Sequence, residues 1–165
     1  GFLKTNSGKI TYNDQVMGED IDFLPSLGVL IEKPGFIENY THKQNLKYLA
    51  SINNKINDET ITQVLIDVGL DPNLKLNVHK FSLGMRQRLG IAQAIMEDQS
   101  IIILDEPFNG LDQAGKDDII HILTRLRNEG KIILLTSHIS GDIELLSDEV
   151  FQFNNKTIEK LSSNQ

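Results

Sequence analysis

Two uninterrupted apolar runs dominate the second half of the chain, SIIILDEP (Ser100 to Pro107) and KIILLTSH (Lys131 to His138). Both are rich in β-branched residues and of strand length, which predicts parallel strands buried on both faces. Between them, QAGKDDIIHILTRLRNEG puts Ile119, Leu123 and Leu126 on one helical face and supplies Gly130 as a stop. A strand, a helix and a strand in succession give an α/β fold. SLGVLIE (Ser26 to Glu32) predicts a third strand, closed by Lys33-Pro34-Gly35. The following stretch has a helical period and no strand pattern. THKQ (Thr41 to Gln44) is a capping box opening a helix through Leu49, and Ile61, Val64, Leu65 and Val68 form an i, i+3, i+4, i+7 stripe ended by Gly69. The expected organisation is therefore an α/β core from residues 1–35 and 97–165, with a helical insertion at 36–96. The tail EVFQFNNKTIEKL alternates around Asn154-Asn155 and predicts a hairpin.

Composition narrows the partners. The 165 residues are 39% hydrophobic and 24% charged, a globular balance. A formal net charge of -7 argues against a broad nucleic-acid face but leaves room for a local anion site at a helix N-terminus. There is no Cys, so disulfides, thiolate metal sites and Cys nucleophiles are excluded together. No apolar run approaches the roughly 18 residues of a membrane span, and the start has no signal-peptide pattern. Any membrane link is therefore expected through a partner.

Two segments carry the chemistry. In IIILDEPFNGLD (Ile101 to Asp112), four apolar residues drive a strand into the core and two carboxylates emerge at its C-terminal end, where open α/β sheets place ligands. Alternation points Asp105 and Glu106 in different directions, so one can serve a Mg²⁺ shell and the other polarise a water. In FSLGMRQRLGIAQAI, Ser82 can cap a helix, Gly84 lets backbone approach a ligand, and Met85, Leu89, Ala92 and Met96 form the buried stripe. Two stretches imitate a phosphate loop. The first, around Gly8-Lys9, has Leu3 for the leading Gly and Ile10 for the hydroxyl; GLDQAGKD (Gly110 to Asp117) ends on Asp117, which repels phosphate.

SLGMRQ, IIILDEP, NGLD and LTSH, in this order, resemble the signature sequence, Walker B strand, D-loop and switch-His strand of the ATP-binding-cassette (ABC) ATPases. The resemblance runs from Gly1 to about Leu161, and GFLKTNSGKI resembles the segment that follows the family's phosphate loop. It implies a P-loop NTPase-like core whose Walker A strand and loop are not in these residues. LGVLIEKPGFIENYTHKQNL and FSLGMRQRLGIA look most like the branch exporting bacitracin and lantibiotic-type peptides, which is where Glu32 and Leu83 depart from the general pattern.

By that resemblance Asp105 coordinates Mg²⁺, Glu106 is the general base and His138 stabilises charge at the γ-phosphate of ATP. Ser82 and Gly84 touch ATP held by a second ATP-binding subunit, expected as a homodimer; Asp112 belongs to the loop crossing that interface, or simply caps the next helix. Glu32 links nucleotide state to a transmembrane permease, or is an exposed acid at a strand end. His42, His79 and His121 show no ligand spacing, and Phe36, Phe81 and Phe108 are read as packing residues. The expected protein is the ATP-hydrolysing subunit of an exporter, cytoplasmic and peripheral at the membrane, with no nucleic-acid partner; these residues alone are expected to be inactive. The competing readings are a translation factor or DNA-repair protein of the same family, or a non-catalytic interaction module.

Overall fold

The computed structural model describes residues 5–31, 34–139, 141, 143, 146–154 and 156–161. A short hairpin, β1 (Thr11–Tyr12) with β2 (Gln15–Val16), precedes β3 (Leu27–Leu30). Helices α1 (His42–Asn53), α2 (Asp58–Asp67) and α3 (Leu83–Ile95) follow, with one 3₁₀ turn at Val78–Lys80. Then come β4 (Ile101–Asp105), α4 (Gln113–Asn128), β5 (Ile132–Thr136) and the hairpin β6 (Val150–Asn154) with β7 (Thr157–Leu161). The three long apolar runs pair in parallel in the order β3-β4-β5, with Val29, Ile103 and Leu134 level across the sheet. Asp105 is level with Thr136, so the acidic end of β4 and the threonine before Ser137-His138 share one edge of the sheet.

Helix boundaries follow local chemistry. The Thr41 hydroxyl accepts from Gln44 N at 3.2 Å while the Gln44 side chain accepts from Thr41 N at 2.8 Å, the reciprocal capping box expected there. The helix runs four residues past the expected end at Leu49, to Asn53, because Leu46 and Ala50 continue its buried face. Ile61, Val64, Leu65 and Val68 are all buried, and Gly69 at φ +75 ends the turn.

Two glycines decide how closely α3 lies on the sheet. A Cβ on Gly28 would fall 1.8 Å from the Ala94 carbonyl oxygen, and one on Gly90 2.6 Å from a Leu30 methyl. Neither space exists for a side chain, so helix and strand backbones touch. The core beneath α3 and α4 is Leu30, Leu89, Ile91, Ile102, Leu104, Ile119 and Leu123. Each such side chain contributes about 1.5–3 kcal/mol on burial.

The expectation that both second-half runs are buried on two faces holds for β4 and not for β5. Ile133 and Leu135 pack on the core, whereas Ile132 and Leu134 are 61% and 58% exposed. β5 is an edge strand, and among the described residues nothing covers its second face.

Candidate functional site

At the C-terminal end of β4 the chain turns sharply. Glu106 has φ +49, a left-handed conformation that costs a non-glycine residue free energy and persists only where neighbours fix it. Three contacts do so. Its N–H donates to Thr136 Oγ1 at 3.1 Å, and its carbonyl accepts from Gln87 Nε2 at 2.9 Å and from Asn109 N at 3.2 Å. Thr136 Oγ1 in turn donates to Asp105 Oδ1 at 2.6 Å. The reversed turn sends the Glu106 carboxylate toward β5, where Oε2 accepts from His138 Nδ1 at 2.8 Å. A carboxylate only accepts, so in this pair the proton is on Nδ1 and Nε2 is left for another partner. His138 is 69% exposed and Glu106 32%, so both are open to solvent and to a ligand.

The second group is the start of α3. Ser82 caps it, its Oγ accepting from Met85 N at 3.2 Å. A Cβ on Gly84 would lie 2.7 Å from the Gly110 carbonyl oxygen, and one on Gly110, at φ +74, 2.5 Å from Leu83 Cγ. The helix start and the loop after β4 are therefore in direct contact. Asp112 caps α4, accepting from Gly115 N at 3.0 Å, and so fixes where that loop ends.

The residues singled out from sequence thus fall into two packed groups: Asp105, Glu106 and His138 around Thr136, and Ser82 and Gly84 against the loop that ends at Asp112. Gln87 bridges them. Glu32 lies outside the described residues. Thr136 and Gln87 were not assigned roles from sequence, although Thr136 lies in LTSH and Gln87 closes SLGMRQ, both quoted there as motifs. The Gly110 to Asp117 imitation is no loop, since Gly115 and Lys116 lie inside α4. Gly8, at φ +73, stands in an exposed turn. Phe81 and Phe108 are buried and Phe36 packs on the core, as expected. Of the other histidines, His42 is buried while His79 and His121 are exposed.

The donor set suits a hard divalent cation. Asp105 and Glu106 offer carboxylate oxygens with a hydroxyl beside them, and among the described residues no group of three or more ligands forms a dedicated cage. Mg²⁺ is held by one or two carboxylates together with substrate phosphates. The residues present fit the ion.

The site thus combines a parallel α/β sheet, paired acids at a strand end and a capped helix packed on the adjoining loop. Residues 1–109 match the family model for the ABC transporter, and the chain belongs to that family. It is 42% identical over 154 residues to an uncharacterized ABC transporter ATP-binding protein of Bacillus subtilis, YdbJ, covering 91% of this chain and 49% of that protein. It is 40% identical over 156 residues to the bacitracin transport ATP-binding protein BcrA of Bacillus licheniformis (91% and 50%), and 34% over 148 residues to the lantibiotic transport ATP-binding protein SrtF of Streptococcus pyogenes (90% and 63%). The chain spans about half the length of the first two. Among solved structures, the dimeric structure of MJ0796, a bacterial ABC transporter cassette, superposes with a TM-score of 0.73 at 18% identity, over 83% of this chain and 63% of that one. The fold is that of an ABC cassette core, and the likeness to bacitracin and lantibiotic transport proteins is borne out.

Proposed function

We propose that these residues form part of an ATP-hydrolysing subunit of an ABC exporter that moves an antimicrobial peptide or antibiotic. One observation carries the reading: the Glu106 carboxylate, turned by a strained backbone, meets His138 at 2.8 Å beside Asp105. Glu106 takes a proton from the attacking water, a role worth about 10²–10⁴ in rate. His138, oriented through Nδ1, offers Nε2 to charge developing on the transferred phosphoryl group. Asp105, held by Thr136, would carry the Mg²⁺, which when bound neutralises phosphate charge. Ser82, Gly84 and the N–H groups opening α3 form an anion-binding face for ATP held by a second copy. Asp112 fixes the loop that crosses to that copy, and Glu32 relays nucleotide state to a permease.

The division into core segments 1–35 and 97–165 around a helical subdomain at 36–96 goes with this reading. A permease supplies the link to the cytoplasmic face of the membrane; among the described residues no helix is long and apolar enough to cross it. The peptide substrate rests on the named transport proteins it is similar to. Residues 1–165 contain no Gly-x-x-x-x-Gly-Lys-Ser/Thr, so a polypeptide limited to them is expected not to hydrolyse ATP. The test uses the full-length protein with its permease: Glu106→Gln should reduce ATP hydrolysis by about 10²-fold or more while ATP binding persists. Unchanged hydrolysis would defeat the reading.

A further inference from the structure

Gln87 is only 4% exposed, and its side-chain amide donates to the backbone carbonyl of Glu106. It lies on α3 three residues beyond Gly84, hence on the same side of the helix. Gly84 meets Gly110 and Gln87 meets Glu106, so this side of α3 rests on the whole loop from the acid to the start of α4. The side-chain amide reaches the carbonyl of the one site residue whose backbone is left-handed. If that carbonyl is released, φ of Glu106 can relax out of the left-handed region, and rotation about φ carries Cβ and the carboxylate away from His138.

We infer that Gln87 is a positioning residue, which holds Glu106 in its strained conformation and ties the placement of the general base to the placement of the helix that carries Ser82 and Gly84. The inference rests on the general-base reading of Glu106. Movement of α3 on its anion then reaches the acid through one hydrogen bond, 2.9 Å long, within the same chain. Gln87 touches no reacting atom. Its effect passes entirely through Glu106.

The experiment compares Gln87→Leu and Gln87→Glu in the full-length protein with its permease, alone and combined with Glu106→Gln. Glu keeps the shape of Gln but aims an oxygen at the Glu106 carbonyl, and Leu removes the donor. Each should lower kcat by about 10-fold or more with KM for ATP within about 2-fold, since a displacement of about 1 Å is enough to cost that much. Added to Glu106→Gln, neither should cause a further loss, because residues acting through one group are not additive. An unchanged kcat, a KM that rises with it, a full extra loss in the double variants, or loss of fold in both single variants would overturn the inference. Unchanged hydrolysis in Glu106→Gln alone would instead defeat the general-base reading.

Discussion

Glu38 and Arg86 meet as a fork of two charge-assisted hydrogen bonds, Nη1 to Oε1 at 2.8 Å and Nη2 to Oε2 at 2.7 Å. Arg86 is in the first turn of α3, and the Glu38 carbonyl accepts from His79 N and from His79 Nδ1, both at 3.1 Å. The loop after β3 is thus bound to the helix that begins after Ser82. The hydrogen bonds from Arg86 hold the Glu38 carboxyl below its ordinary value near 4.5. A depressed carboxylate contributes stability above its unfolded pKa and loses it as pH falls through the folded one. The thermal midpoint should therefore fall below about pH 4.5, and Glu38→Gln should flatten that fall. Both groups are largely solvated, so the difference should be modest and shrink in salt; scanning calorimetry at low and high ionic strength checks it.

The contact between Gly84 and Gly110 leaves no room for a methyl group. Gly84→Ala should push the start of α3 off the loop, destabilising by about 1–3 kcal/mol as overpacking does. Gly110→Ala adds the cost of a left-handed φ to a clash with Leu83. Gly35→Ala, where an added Cβ meets nothing within 4 Å, is the control and should be near neutral. Urea unfolding of the three variants distinguishes these cases.

Much of this was legible in the chain. The strands were readable because parallel strands between helices are continuous apolar runs, and the capping box at Thr41 and the stop at Gly69 because each has a local chemical cause. Asp105, Glu106 and His138 could be singled out from their place at and after strand ends, and they lie together. The turn that joins them was not. A positive φ at a glutamate is imposed by tertiary contacts from Gln87 and Thr136, and nothing in Asp-Glu-Pro encodes it. Likewise β5 has the composition of a fully buried strand, but burial depends on what lies against it, and its own sequence cannot report that. The β1–β2 hairpin, two residues a side, is too short to show a period.

His42 is a buried base whose charge has no place to go. It is fully buried at the first turn of α1, donates from Nε2 to the Asp71 carbonyl at 2.9 Å and packs on Phe81, with ring centroids 5.7 Å apart. Desolvation lowers its pKa, against support from the Asp71 carbonyl and the Asp71 charge, and nearby Lys43 lowers it further. With a lowered folded value, the unfolded chain takes up the proton first, so stability falls as pH drops below about 6.5 toward the folded pKa. Urea midpoints should decline from about pH 7.5 to about pH 5.5. His42→Phe should start less stable, having lost the Asp71 bond, and show a smaller decline over that range. An undiminished decline would assign the effect elsewhere.

The exposed face of β5 makes a prediction about association. Ile132 and Leu134 alternate with Ile133 and Leu135, so the strand has one face in the core and one in solvent, and its outer edge has no strand partner among the described residues. An apolar edge of this kind templates pairing with another chain. The 165-residue polypeptide should therefore self-associate in a concentration-dependent way, seen as rising scattering intensity at constant temperature. Leu134→Lys adds a charge to the exposed face without touching the core and should suppress the association with the thermal midpoint unchanged. Ile133→Lys puts the same charge on the half-buried, core-facing side and should lower the thermal midpoint instead, because an ammonium there loses packing and part of its hydration. If both variants behaved alike, the alternation along β5 would be wrong.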